Sequence, residues 1–295
     1  MDAKDTTRVE LTDFLDMKRA GRPITMLTAY DTPCARLADR AGVDAILVGD
    51  SLSNVVLGHR DTLPVTMEEM LHHTRAVSRG ASRALVVADM PFGSYQISRE
   101  EAVRNGVRFL KEAGAQAVKL EGAGPHVATV RALTEAGVPV VGHLGLTPQT
   151  AGMLGGYKLQ GRTAEAARRI FDGALELEAA GAFLLVLELV PARLGALVSR
   201  RLRIPTIGIG AGAGTDGQVL VFHDLLGFEP DFQPRHLKRY AELGREIERA
   251  LGAYCAEVRA RSFPDEAHSF RMPDEEWAAL EAALGPVGAR PGEEA

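Results

Sequence analysis

Six polar residues interrupt otherwise apolar segments, and their types suit acid–base and metal chemistry: Asp50, Asp89, Lys119, Glu121, His143 and Glu188. Lys119 and Glu121 lie in AVKLEG, residues 117–122, which reads as a short strand closed by a glycine. Side chains alternate along a strand, so these two point the same way. Two ionised groups facing one enclosed space are costly unless they pair with each other or bind a ligand. On this strand alone a structural ion pair explains them equally well. The neighbouring segments shift the balance. Asp50 ends AILVGD (45–50), and Asp89 stands near the end of LVVADM (85–90). His143 is near the end of PVVGHLG (139–145), and Glu188 near the end of FLLVLEL (183–189).

Asp50, Asp89 and Glu121 would repel one another if they converged with nothing positive among them. With no nearby cysteine and one companion histidine, a hard divalent cation is the natural occupant, and Mg2+ fits best. A small 2-oxo acid could present its keto and carboxylate oxygens to such an ion. The metal would then act as a Lewis acid and stabilise an enolate. Lys119 would add positive charge beside the developing anion; a salt bridge to Glu121 without substrate contact is the alternative. Glu188 is flanked by Leu187, Leu189 and Val190, so an apolar pocket is expected to make it a better proton acceptor. Its alternative role is to cap the next helix. Ser51 could donate to a carboxylate or cap a loop. His143 could orient a ligand group or a partner carboxylate, or be purely structural.

The elements that must position these groups alternate throughout. Strand signals fall at 24–30, 45–50, 85–90, 117–122, 139–145, 183–189, 205–210 and 218–222, with helical patterns between them. Thr66 with Glu69, and Ser98 with Glu101, have capping-box spacing at two helix starts. A first helix is expected at 11–19 and a long last one at 235–261. Eight buried-type strands, each followed by a helix, point to a closed (β/α)8 barrel, with an open doubly wound sheet as the second choice. In such a barrel catalytic groups sit at the C-terminal strand ends, where the six residues fall. One barrel domain over 1–270 is expected, then a tail over 271–295. In the tail, PDEEWAALEAAL is expected to form a helix with Trp277, Leu280 and Leu284 on one stripe, and the last ten residues to be disordered.

Two glycine-rich stretches stand apart. GIGAGAGTDG (208–217) lacks the Lys-Ser/Thr pair and following helix of a phosphate loop, so it is read as a tight barrel-top loop. MLGGYKLQGR (153–162) is the better candidate for a cover over the site.

Composition narrows the classes. The net charge of −5 leaves no basic footprint for nucleic acid, and 5% aromatic residues do not favour base stacking. Cys34 and Cys255 form neither a metal spacing nor a disulfide framework, which fits a reducing compartment. Residues 1–10 lack the apolar core of a signal peptide, and runs such as FLLVL are too short to span a bilayer. The cytoplasm is the expected location.

The runs TAYD, LVGDS, LGHRDTLPVT, ADMPFGSY, VKLEG, GHLGLTPQ, GGYKLQGR, LELVP, IGIGAGAGTDGQVLV and HDLLG, in that order between 11 and 263, resemble the ketopantoate hydroxymethyltransferase family. The resemblance implies a TIM barrel of the phosphoenolpyruvate/pyruvate-binding type. It implies transfer of a one-carbon unit from 5,10-methylenetetrahydrofolate to 3-methyl-2-oxobutanoate, giving 2-dehydropantoate on the way to pantothenate and coenzyme A. Matched by motif, Asp50, Asp89 and Glu121 correspond to a Mg2+ site, and Asp50, Ser51, Asp89 and Lys119 to the oxo-acid contacts. Glu188 corresponds to the proton acceptor. A homo-oligomer, commonly a decamer, is implied as well. Two other classes compete. A Mg2+-dependent carbon–carbon lyase of the same barrel group would bring a catalytic cysteine on a rim loop, and neither cysteine lies in a rim motif. A non-catalytic ligand-binding barrel would have lost a rim charge, and all are present.

Overall fold

The computed structural model describes residues 7–285. The last ten residues, expected to be disordered, lie outside that range. The chain separates into two compact units that divide between Glu242 and Leu243. The composition change near 270, on which the expected domain boundary rests, falls inside the second unit.

The first unit is a closed parallel barrel with strands in sequence order: β1 (Ile24–Thr28), β2 (Ala45–Val48), β3 (Leu85–Asp89), β4 (Ala117–Glu121), β5 (Val140–Gly145), β6 (Leu184–Glu188), β7 (Thr206–Ile209) and β8 (Gly217–Leu220). β8 closes on β1, with Met26 opposite Val219. The helices are α1 (Leu11–Ala20), α2 (Thr32–Ala41), α3 (Leu52–Val55), α4 (Met67–Gly80), α5 (Arg99–Ala113), α6 (Val127–Glu135), α7 (Ala164–Ala179), α8 (Ala192–Arg201) and α9 (Phe222–Leu225). At α4 the capping box forms: Thr66 Oγ1 accepts from Glu69 N (3.2 Å) and Glu69 Oε2 from Thr66 N (2.8 Å). Ser98 Oγ accepts from Glu101 N (3.1 Å) at α5.

Strand alternation sorts the core into two clusters. Val86, Ala88, Val118, Leu120, Leu185 and Leu187 face outward against Phe109, Leu133 and Leu177 of the surrounding helices. Leu85, Val87, Ala117, Val141, Leu184, Val186 and Ile207 face inward. Phe14 and Met17 of α1 join the inner cluster and plug the N-terminal mouth. Lys18 clamps that plug: its ammonium donates to the carbonyls of Ser199 (2.7 Å) and Ile204 (2.9 Å) and to Asp216 Oδ2 (2.9 Å). The N-terminal end of the barrel is thereby closed with apolar side chains, and the C-terminal end is left for polar ones.

One repeat departs from the expected pattern. Among the described residues no helix separates β7 from β8. The loop expected at the barrel top instead descends the outside of the barrel from the end of β7 to the start of β8. Its glycines press it onto α8: a β-carbon on Gly212 would lie 2.4 Å from Ala192 Cβ, and one on Gly214 2.6 Å from Ala196 Cβ. Asp216 ends this loop at the barrel floor, where Oδ2 accepts from Thr206 N (2.8 Å).

The second unit contains α10 (Leu243–Arg259) and α11 (Asp274–Leu284). α10 is shorter than the expected 235–261. Residues 234–242 form a loop in the first unit, tied by Arg239 Nη2 to the carbonyls of Glu229, Pro230 and Phe232 and by Tyr240 N to Leu225 O. α11 forms where the tail helix is expected. Its stripe residues Trp277, Leu280 and Leu284 are all exposed, Trp277 by 52%.

Candidate active site

The inward faces of four adjacent strands become polar at their C-terminal ends. Leu85, Val87 and Asp89 share one face of β3; Ala117, Lys119 and Glu121 share one face of β4. Val141 and His143 continue on β5, and Leu184, Val186 and Glu188 on β6. Register aligns them: Asp89 lies opposite Lys119, and Glu121 opposite His143. Asp50 does not end β2 as expected but follows it in a turn. Its backbone N donates to Asp89 Oδ2 (2.9 Å), which draws it into the same rim. The structure therefore brings all six residues together.

Lys119 Nζ stands 3.0 Å from Asp89 Oδ1, 3.9 Å from Glu121 Oε1 and 3.3 Å from His143 Nδ1. His143 lies between acids, with Nδ1 3.2 Å from Glu121 Oε1 and Nε2 3.3 Å from Glu188 Oε2. Asp50, Asp89, Lys119, Glu121 and His143 are all buried, whereas the Glu188 side chain is 19% exposed. The flanking leucine on which the expected apolar pocket around Glu188 partly rests lies on the other face of the strand. Leu187 points outward by alternation, so its apolar character says nothing about the face that Glu188 occupies. Glu188 does not cap α8 either, since the residue before that helix is Pro191. Ser51 adjoins Asp50 at the start of α3 without capping it, and its hydroxyl is 2.8 Å from Tyr30 Oη.

Four carboxylates here face two bases. Burial, and then the charges of Asp89 and Glu121, push Asp50 up to about 8, with Lys119 and Gln149 offsetting only part. Burial also raises Asp89, against the pull of Lys119. For Glu121 burial is outweighed by hydrogen bonding and charge from His143 and by Lys119, so its carboxyl is lowered. Burial and Lys119 depress His143, but bonding to Glu121 and Glu188 prevails and pushes it up to about 9. Lys119 is raised despite burial because three acids surround it.

Among the described residues, no group of three or more His, Cys, Asp or Glu side chains is drawn together tightly enough to hold an ion as it stands. Lys119 lies between Asp89 and Glu121 instead. The donor set nevertheless fits a hard cation. Asp89 Oδ1 and Glu121 Oε1 are buried without an aligned hydrogen-bond partner. The buried acids outnumber Lys119 and His143, and that surplus negative charge is what a divalent ion would balance.

Two residues outside the predicted set complete the site. Gln149, in the turn after β5, donates from Nε2 to Asp50 Oδ2 (2.9 Å) and from its backbone N to Glu121 Oε2 (3.0 Å). Tyr95 Oη donates to Gln149 Oε1 (2.7 Å) and accepts from Glu121 N (3.2 Å). Neither lies on a strand face, so periodicity carried no signal for them; only their places in ADMPFGSY and GHLGLTPQ marked the segments. Within the expected cover, 153–162, Tyr157 feels the charges of the rim. Its hydroxyl is raised by partial burial and by the charges of Asp50, Asp61, Glu188 and Glu121. Gln160 N, near the far end of this loop, donates to Leu189 O (2.8 Å), beside Glu188.

Apolar strands closed at the floor and acid–base groups at the rim define an enzyme of the TIM-barrel class. The fold resembles phosphonopyruvate hydrolase (TM-score 0.60, 15% identity, covering 94% of this chain and 98% of that one). It also resembles 2,3-dimethylmalate lyase, a member of the PEP mutase/isocitrate lyase superfamily (TM-score 0.55, 16% identity, 93% and 98%). Residues 8–266 match the family model described as ketopantoate hydroxymethyltransferase. A 3-methyl-2-oxobutanoate hydroxymethyltransferase from Geobacillus kaustophilus (strain HTA426) is 58% identical over 269 residues, 91% of this chain and 96% of that protein. The enzyme of the same name from Bacillus thuringiensis (strain Al Hakam) is 55% identical over 91% and 96%. The chain belongs to the ketopantoate hydroxymethyltransferase family, whose reaction is a one-carbon transfer in pantothenate biosynthesis.

Proposed function

We propose that this chain transfers a hydroxymethyl group from 5,10-methylenetetrahydrofolate to 3-methyl-2-oxobutanoate, giving 2-dehydropantoate by way of an enolate. The observation that carries the mechanism is the tier of Asp89, Lys119, Glu121, His143 and Glu188, with Asp50 drawn into it. Asp50, Asp89 and Glu121 would hold Mg2+, which supplies Lewis acidity toward the keto oxygen when bound. A phosphonopyruvate hydrolase of the same fold has been solved with oxalate and Mg2+. Asp50, Ser51, Asp89 and Lys119 line the place for the oxo acid, and the Lys119 ammonium stabilises negative charge that develops there. Glu188 takes the proton from C3, and the electron pair of that C–H bond forms the new carbon–carbon bond to the folate's methylene carbon, where one carbon–nitrogen bond has opened to an iminium. Water then supplies the hydroxyl as the second carbon–nitrogen bond breaks and tetrahydrofolate leaves. His143, wedged between Glu121 and Glu188, holds the base in place and keeps the two carboxylates apart.

The same reading makes the protein a cytoplasmic homo-oligomer. None of the residues of α10 is buried within the single chain, although Ile247, Leu251, Tyr254 and Val258 recur at helical spacing. Among the described residues, no helix is long and apolar enough to cross a membrane.

The test is hydrogen–deuterium exchange at C3 of 3-methyl-2-oxobutanoate, followed by proton NMR. Exchange is expected with Mg2+ and without folate, and 2-dehydropantoate only when folate is added. Exchange of equal rate in excess EDTA would overturn the metal-assisted enolate.

A further inference from the structure

Gln149 spends its side-chain amide and its backbone N–H on the rim of the barrel. Its side-chain nitrogen donates to Asp50 Oδ2 and to the carbonyl of Met90, both at 2.9 Å. Its side-chain oxygen accepts from Tyr95 Oη (2.7 Å) and, more weakly, from Gln96 Nε2 (3.4 Å). Its backbone N donates to Glu121 Oε2 (3.0 Å). The amide can face only one way, because turning it over would set its oxygen against a carboxylate and a carbonyl. Gln149 and Tyr95 are 4% and 2% exposed, so water is not at hand to replace these bonds. The residue joins the ends of β2, β3 and β4 from a turn that follows β5.

The oxygens it takes matter most. It binds one oxygen of Asp50 and one of Glu121. Glu121 Oε1 and Asp89 Oδ1 remain, facing the charged or polar groups His143 Nδ1 (3.2 Å) and Lys119 Nζ (3.0 Å) without an aligned hydrogen bond. A free carboxylate can offer an ion one oxygen or two; a carboxylate with one oxygen already bonded offers the other.

We propose that Gln149 is a positioning residue that makes Asp50 and Glu121 one-oxygen ligands, and that Tyr95 acts by holding the Gln149 amide in the donating orientation. The proposal rests on the reading of Asp50, Asp89 and Glu121 as the cation site. It assigns two residues a part in setting how many water or substrate positions remain on the ion. Fewer protein oxygens leave more room for the two oxygens of an oxo acid.

The probe is Mn2+ alone, without substrate. Free ion is counted by electron paramagnetic resonance, and waters on the bound ion by water-proton relaxation. Gln149→Leu is expected to weaken Mn2+ binding roughly 10- to 100-fold, the range for loss of an outer-shell partner. It should also remove about one water from the bound ion as Asp50 turns both oxygens inward. Tyr95→Phe should weaken binding by about threefold, and by nothing further in the Gln149→Leu background. A purely structural role would lower the unfolding midpoint and leave the water count of bound Mn2+ unchanged; that result would overturn the proposal. Wild-type affinity in Tyr95→Phe would overturn the part given to Tyr95, and that variant carries the test if Gln149→Leu does not fold. Asp50→Ala with undiminished Mn2+ affinity would instead refute the cation-site reading beneath it.

Discussion

Glu188→Gln is the most discriminating substitution at this site. The amide is nearly isosteric with the carboxylate, so the contact to His143, now 3.3 Å between Nε2 and Oε2, can persist in altered form. Asp50, Asp89, Lys119 and Glu121, to which the proposed mechanism gives the cation and oxo-acid contacts, are untouched. Binding should therefore hold while proton removal fails. A positioned general base contributes roughly 10²- to 10⁴-fold, which at about 1.4 kcal/mol per decade is about 3–5 kcal/mol of barrier. The partial exposure of the Glu188 side chain admits water as a substitute acceptor, which places the expected loss nearer the lower end. The assay is deuterium incorporation at C3 of 3-methyl-2-oxobutanoate in D2O, with Mg2+ and without folate, beside a calorimetric titration of the oxo acid. A fall in exchange of about 100-fold or more with oxo-acid affinity within about twofold of wild type is the expected result. Exchange within about threefold of wild type would refute Glu188 as the base and turn attention to another group on the rim.

Two further substitutions test the scaffold. Asp39 accepts from Ser82 N, Ser82 Oγ, Arg83 N and Ala84 N at 2.7–3.1 Å, and these bonds outweigh partial burial to lower its carboxyl. A lowered folded value means the stabilisation is complete above the unfolded value of about 3.9 and is lost as pH falls through the folded one. Asp39→Asn should thus lower stability by about 1–3 kcal/mol in urea melts at pH 7, and the gap should narrow at low pH; a gap that widens with acid contradicts the assignment. Gly145 has φ +98°, and a β-carbon there would lie 2.1 Å from the carbonyl oxygen of Glu188. Gly145→Ala should cost roughly 3 kcal/mol or more and displace the base, so an unchanged urea midpoint would show that the β5–β6 junction yields more easily than its packing implies.

The site was legible to the extent that strand alternation is legible. Lys119 with Glu121, Asp89, His143 and Glu188 each follow inward-facing apolar residues at even spacing, and a barrel with its floor filled by Phe14 and Met17 must carry such residues at its open end. The same periodicity misled where neighbours were treated as surroundings: Leu187 adjoins Glu188 in sequence and faces the opposite layer. Gln149 and Tyr95 belong to turns, where no period operates, and their role depends on chain segments 54 residues apart meeting. The β7–β8 loop has the composition of a turn, but its length serves to run down the barrel wall, and glycine is needed there for contact with α8. Residues 234–242 have a helix-compatible composition, yet the carbonyls that Arg239 gathers hold them in a loop.

The charge balance of the rim also dictates an order of binding. The oxo acid is an anion, and it must enter a space where four carboxylates already outnumber Lys119 and His143. Without a cation its carboxylate would meet Asp50 and Asp89, groups that burial and mutual repulsion already raise. Lys119 cannot attract it freely, being 3.0 Å from Asp89. A divalent cation reverses the sign of the space the anion enters. Calorimetry should therefore detect 3-methyl-2-oxobutanoate binding with Mg2+ and none in EDTA, whereas Mg2+ should bind without the oxo acid. Lys119→Met, which removes the positive charge between Asp89 and Glu121, should leave that dependence intact. Oxo-acid binding of equal strength in EDTA would mean that Lys119 and His143 alone suffice for the anion, and the acids would then need another explanation.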